Sequence, residues 1–318
     1  MPKSITITSK STSKKKIRIR AIRAHPWLNF SPHPVSAITK PKIFRRCIGR
    51  SVEHREINAC ANFDLDANLR PANATLLIGG MHGDEKATIV LLESFLEKHL
   101  VTGKVRAPTV IIALANPDGY ERHSRYNARG VDLNRNFETN WHAESAEPPG
   151  AKPWSESESR ALRDFILEIE PMKIVSLHWA LAEIDADGPQ STALANQMWD
   201  AMSDGERAPY RVRIHEIGHG LRRLEHTYEI CPGSLGQWCG YGLKFGNGLR
   251  PAMITLELPY DPAAESRPHP LPDGHLASLH TRWRDDPKTY LAAVENGVHA
   301  MLTAASVFPR KALISRGA

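Results

Sequence analysis

The stretch ATLLIGGMHGDEKATIVLLESFLEKHL, residues 74–100, decides the fold. It opens on a short apolar run, ATLLIGGM, that ends in two glycines, as a buried strand does. It closes on apolar residues at helical spacing: Ala87, Val90, Leu91 and Phe95, with the small Ser94 between them. Between strand and helix sit His82 and Glu85, a metal-ligating pair of side chains three residues apart. One strand leading through a polar turn into one helix is half of a βαβ unit.

The same alternation continues outward. REINACANFDLD (55–66) has the period of a strand, PTVIIALANPDG (108–119) reads as a second buried strand ending in a turn, KIVSLH (173–178) as a third and AMITLELP (252–259) as a fourth. SESESRALRDFILEI (155–169), with Ser155 and Glu158 placed for a capping box, GPQSTALANQMWDAM (188–202) and DPKTYLAAVENGVHAMLTAA (286–305) read as helices. Buried strands alternating with helices predict an α/β fold, a mostly parallel mixed twisted sheet with helices on both faces. Such a sheet takes its ligands beyond the carboxyl ends of its strands.

Chemistry-bearing residues stand at those ends. The first buried strand runs into His82 and Glu85, the third ends at His178, and the fourth carries Glu257. The second leads into NPDGYERHSRYNARGVDLNRNF (116–137), dense in Arg and Asn. Two His and one Glu make a zinc set that leaves a fourth position open, as a catalytic zinc requires. A separate carboxylate, Glu257, is then available to take a proton from water.

HGDE, NPDG, RxNARGVDLNRNF, SLH and TLELP, in that order, resemble the zinc carboxypeptidase superfamily. With GRSVEHREI (49–57), DADGP (185–189) and CPGSLGQWCG (231–240), the chain is most similar to the murein peptide amidase branch, which cuts the γ-D-Glu–meso-diaminopimelate bond of cell-wall peptides. The resemblance spans residues 48–305 and implies a carboxypeptidase-like fold around one zinc ion. It implies His82, Glu85 and His178 as metal ligands and Glu257 as the general base. It implies Arg125 at the oxyanion, and Asn134 with Arg135 on the substrate's free carboxylate. Trp179-Ala180 stands where digestive members have Ser-Tyr, and Tyr241 is the candidate for their substrate-capping tyrosine. Asp185 is a candidate partner for the ammonium group of diaminopimelate, against a turn role for DADG. Trp238 reads as pocket wall or as packing, and Cys231 and Cys239 as buried thiols.

HEIGHG (215–220) spells the His-Glu-x-x-His of a zinc helix. Its lead-in alternates Tyr210, Val212 and Ile214 with Arg211 and Arg213, which is strand periodicity, and Gly218 and Gly220 weaken a helix. The extended motif needs Gly at 222 and His at 225, where the chain has Arg222 and Glu225. HEIGHG is read as a coincidence, and the metal is assigned to His82, Glu85 and His178.

The net charge of +6 conceals an asymmetry. Residues 1–50 hold 13 of the 41 Lys and Arg and no acid, so the remainder sets 28 basic residues against 35 acidic ones. Three segments are expected: a basic, disordered arm over 1–47, a catalytic domain over 48–305 and a tail over 306–318. The arm's charge fits contact with nucleic acid or an anionic surface, but a solvated tail is the favoured reading. The chain has no run of about 18 apolar residues and no apolar leader, and its four cysteines form no CxxC pair. Cytoplasmic location is the expectation, with a small peptide carrying a free carboxylate as substrate. The rival functions are an N-acyl amino acid deacylase of the aspartoacylase and succinylglutamate desuccinylase type, an ordinary metallocarboxypeptidase, and a polyanion-binding protein that uses the arm.

Overall fold

The structure is a computed structural model, and it describes residues 41–68, 70–214, 231–260 and 287–309. Every described residue lies within the unit Lys40–Ala318.

The strands β1 (Phe44–Arg50), β2 (Glu56–Ala61), β3 (Thr75–Ile78), β4 (Thr109–Ile112), β5 (Lys173–Asp187), β6 (Arg211–Ile214) and β7 (Ala252–Pro259) form one mixed sheet. β1 pairs antiparallel with β2, and β2 with β4; β4, β3 and β5 then run parallel. β1 begins at Phe44, so the boundary expected at residue 48 falls inside a strand. Phe44, Arg46 and Ile48 alternate inward, a period masked in sequence by the surrounding basic residues.

β5 differs most from expectation. Its first half, Lys173–Ala180, runs in parallel register along β7, with Ser176 opposite Thr255 and His178 opposite Glu257. The chain then turns, with Ala182 at φ +56°, and Glu183–Asp187 returns along β7 in the opposite sense. Glu183 lies opposite Glu257, and Asp187 opposite Met253. This return segment also carries β6. The DADG acids thus belong to a strand rather than a turn.

Period-two alternation divides the core between the two faces. Leu77, Ile111, Val175 and Leu177 pack on one face with helices α1 (Lys86–Phe95), α4 (Thr192–Asp200) and α7 (Pro287–Val307). Leu76, Ile78, Val110, Ile112 and Ile174 pack on the other with α3 (Ser157–Ile169), Phe137 and Trp238. Each such side chain, fully buried, contributes about 1.5–3 kcal/mol. The capping box expected at Ser155 does not form. Asn136 takes the Glu156 N–H on its Oδ1 and donates to Ser155 Oγ at 2.8 Å, while a capping box forms instead at Ser203 and Glu206.

Lys173 is fully buried at the start of β5, where its Nζ donates to the carbonyls of Ser306 (3.1 Å) and Phe308 (2.8 Å) at the end of α7. Burial lowers its pKa from 10.5 to about 8. Lys173→Met removes that donor from two carbonyls but also removes a buried charge. The first effect is the larger, because a buried acceptor left without its donor costs about 1–3 kcal/mol. The expected net loss is about 1 kcal/mol at pH 7, a fall in Tm of about 2–4 °C by calorimetry. Above pH 8 the folded state has shed a proton that the unfolded chain keeps up to about pH 10.5, so the unfolded state binds more protons. Wild-type stability therefore rises relative to the variant between those pH values.

Candidate active site

The loop after β3 carries His82 and Glu85, with Glu85 at the N-terminal boundary of α1. A Cβ on Gly83 would stand 2.0 Å from the carbonyl carbon of Gly119, so the HGDE loop packs directly on the NPDG turn. That turn is itself anchored. Asp118 accepts from Ser51 Oγ at 2.7 Å, from the Glu53 N–H at 3.0 Å and from Arg55 Nη1 at 2.6 Å, which explains why GRSVEHREI accompanies NPDG. His178 arrives at the end of the parallel half of β5 and Glu257 on β7 beside it.

His82, Glu85 and His178 converge, each nearly fully buried. His82 Nδ1 lies 3.3 Å from His178 Nδ1 and 2.7 Å from Glu85 Oε1, and His178 Nδ1 lies 3.3 Å from Glu85 Oε2. Four ligands about 2.0–2.1 Å from a tetrahedral zinc stand about 3.3–3.4 Å from one another, so the two nitrogens already sit at the spacing of a tetrahedron's edge. The outer ring nitrogens have other partners. His82 Nε2 lies 3.1 Å from Asp132 Oδ1, and His178 Nε2 lies 3.1 Å from Ser176 Oγ. With those nitrogens carrying the protons, both Nδ1 lone pairs are left for the same gap. Glu85 Oε2 is buried without a hydrogen bond among the described residues. Burial and Arg125 oppose charge on His82, yet Glu85 and Asp132 raise it to about 9, so the local field favours a cation. Burial keeps His178 below its usual value and hence neutral, the form that ligates. These residues fit a zinc ion.

Asp132 was not singled out in the sequence. Its Oδ1 meets His82 Nε2 and the N–H of Asn134 (2.8 Å), and its Oδ2 accepts from Arg125 Nε at 3.0 Å and lies 2.9 Å from Arg125 Nη2. One buried carboxylate thus orients a ligand, the arginine and the Asn-Arg loop. The available signal was chemical: a ligating His requires an acceptor for its second nitrogen. Arg125, held along its Nε edge, places Nη1 3.3 Å from His82 Nδ1 and 3.7 Å from Glu85 Oε1.

A cavity of about 200 Å³ opens over this group, lined also by Asn134, Arg135, Asp185 and Glu257. Asn134 Oδ1 accepts the Leu235 N–H at 2.9 Å, which leaves its NH₂ end to donate elsewhere. Gly233, at φ +68°, lets the neighbouring loop lie against the Arg135 carbonyl, 2.4 Å from where a Cβ would stand. Burial, then the nearby Glu85 and Glu183, push Glu257 up to about 8, and among the described residues its buried Oε2 has no hydrogen bond. Glu183 and Asp187 line the cavity beside Asp185, and Asp187 Oδ2 accepts from Thr255 Oγ1 at 2.7 Å. Acids at 183, 185 and 187 alternate with period two, a strand signal missed because the strand was expected to stop at His178.

Three expectations need correction or placement. Tyr241 is not among the cavity's lining residues; it occupies the turn Trp238–Gly242, where its carbonyl accepts from Arg250 Nη1. Trp238 is packing, set against Phe137 and Trp154 with its Nε1 on Glu138. Cys239 is buried, but Cys231 is exposed and lies on the cavity's lining. HEIGHG lies outside the described residues, although β6 bears out the strand leading into it.

The sheet and the His-Glu-His cluster define a metallopeptidase of the carboxypeptidase type. The sequence profile of the zinc carboxypeptidase family matches residues 36–181, and the chain belongs to that family, whose members act with one zinc ion. It is 31% identical over 219 residues to murein peptide amidase A of Escherichia coli K12, an alignment covering 64% of this chain and 81% of that protein. The murein-tripeptide amidase structure from Escherichia coli O157 superposes with a TM-score of 0.53 at 25% identity, covering 84% of this chain and 93% of the other. The carboxypeptidase A of Helicoverpa armigera shares the fold, with a TM-score of 0.56 at 22% identity over 84% of this chain and 69% of the other. Among the described residues, no helix is long and apolar enough to cross a membrane.

Proposed function

We propose that the chain hydrolyses the amide bond between γ-D-Glu and meso-diaminopimelate in small murein peptides, in cytoplasmic recycling of peptidoglycan. The observation that carries it is the convergence of three zinc donors beside Glu257 in a cavity that holds both paired cationic side chains and acids. His82, Glu85 and His178 hold the ion. Zinc there supplies a Lewis acid that polarises a carbonyl and acidifies water.

The chain's own residues do the rest. With a bound cation's charge offsetting the burial and the neighbouring acids that otherwise hold it at about 8, Glu257 would be ionised, take the proton of the attacking water at Oε2 and return it to the leaving amine nitrogen. Arg125 Nη1 donates to the carbonyl oxygen as negative charge develops there. Asn134 Nδ2 and the planar Arg135 guanidinium hold the free carboxylate next to the scissile amide. Asp185 faces the ammonium of the diaminopimelate side chain. That last role separates this function from an N-acyl amino acid deacylase and an ordinary carboxypeptidase, whose substrates carry no such group at that place.

The test offers the zinc-loaded protein L-Ala-γ-D-Glu-meso-diaminopimelate, an N-acyl glutamate and a plain α-tripeptide, each with and without a chelator. Chelator-sensitive cleavage of the first is expected, with the other two at least about tenfold poorer, as the loss of a recognised polar group requires. Asp185→Asn should raise KM for the first about tenfold and leave kcat within about twofold. Preferred cleavage of the N-acyl glutamate or the α-tripeptide would replace the proposal with the corresponding rival.

A further inference from the structure

The two histidines of the metal cluster have different outer partners. His82 Nε2 faces a carboxylate, whereas His178 Nε2 faces the hydroxyl of Ser176 at 3.1 Å. Ser176 is 1% exposed, in the centre of the sheet, flanked by Ile78 on β3 and Thr255 on β7. Two of its neighbours, Ile174 two residues earlier on β5 and Ile78 beside it on β3, belong to the core, and Thr255 on the other side gives its hydroxyl to Asp187. A buried hydroxyl costs about 1–3 kcal/mol unless it is hydrogen-bonded. A position beside Ile174 and Ile78 would by packing alone take an aliphatic side chain, and among the described residues the contact that offsets the hydroxyl's burial is the one to the imidazole.

We propose that Ser176 is the positioning residue for the third metal ligand: its Oγ accepts the Nε2 proton of His178 and so fixes the tautomer and rotation that present Nδ1 to the ion. Residues two apart on a strand share a face, so the hydroxyl stands under the ring it holds. The backbone of both residues is pinned by register to β7 on one side, and that of Ser176 to β3 on the other, so neither can shift to restore the contact if the hydroxyl is lost. The consequence is an unequal pair of ligands. Asp132 increases the basicity of His82, as a carboxylate acceptor does, while a neutral hydroxyl orients His178 without that effect.

The inference rests on the zinc reading of His82, Glu85 and His178, and the experiment keeps the two apart. Full-length wild type, His178→Ala, Ser176→Ala, Ser176→Cys and Ser176→Thr are stripped of metal, and zinc affinity is measured by competition with a chromophoric chelator. The cobalt-substituted absorption spectrum and the metal-free Tm are recorded for each. Wild type is expected to bind one zinc and His178→Ala to lose at least about 100-fold in affinity. Ser176→Ala and Ser176→Cys, the second of which keeps the side-chain volume, should each lose about tenfold, with a shifted cobalt spectrum and a metal-free Tm close to wild type. Ser176→Thr, which retains the hydroxyl, should stay within about threefold of wild type. Equal zinc binding by wild type and His178→Ala would overturn the zinc reading itself. Tight wild-type binding matched by Ser176→Ala and Ser176→Cys, with an unchanged spectrum, would overturn the role of Ser176 alone, as would a fall in metal-free Tm without loss of affinity.

Discussion

Glu257→Gln is expected to lower kcat by a factor on the order of 10³–10⁴ while zinc affinity stays at the wild-type value. Gln keeps the shape and one acceptor oxygen but cannot take a proton from water or return it to the leaving amine. The ligands are untouched, because the three donors lie on β5 and the loop after β3 while Glu257 lies on β7. In metal-free protein the same substitution should stabilise. Burial and the neighbouring Glu85 and Glu183 hold Glu257 at about 8, against 4.5 for an ordinary Glu. Between those pH values the folded state binds the extra proton, so wild-type stability falls as pH rises through the window. The advantage of the Gln variant in Tm should therefore grow from pH 5 to pH 8. A variant that keeps wild-type turnover would remove Glu257 from the mechanism.

The second large effect belongs to Asp132, on which His82, Arg125 and the Asn134 backbone all depend. Asp132→Asn keeps an oxygen for one of these partners but gives up the charge that holds both the imidazole and the guanidinium. Zinc affinity should fall about 10–100-fold, the range for loss of a ligand's outer partner. At saturating zinc a further loss in kcat of about 10²-fold should persist, because Arg125 no longer has a fixed edge from which to aim Nη1. The persistence is the informative part. Full recovery of kcat with added zinc would mean that Asp132 serves the ligand alone and that Arg125 is positioned by something else.

The fold and the metal cluster were largely legible because both rest on local pattern. The apolar run before His82, the strand-final His178 and the acid within an apolar strand at Glu257 are each visible within a few residues. What was missed depends on pairing across the chain. The return of β5 along β7 is encoded by the alternation of Glu183, Asp185 and Asp187, but acids in a strand read as a loop until a cavity is seen to lie over them. Asp132 is a polar residue whose partner ring lies 50 residues away in another motif, and Ser176 is one whose partner ring stands two residues on, within SLH, and meets it only through the rotation the folded site gives the imidazole. Tyr241 was carried over on resemblance, and the turn Trp238–Gly242 keeps it off the cavity lining.

The location of the bound ion tests the central claim most directly. Anomalous diffraction at the zinc edge from crystals of the zinc-loaded full chain should place one peak within about 2.0–2.2 Å of Nδ1 of His82, Nδ1 of His178 and the Glu85 carboxylate. A peak between His215 and His219 instead, with the His82 and His178 rings turned apart, would contradict it.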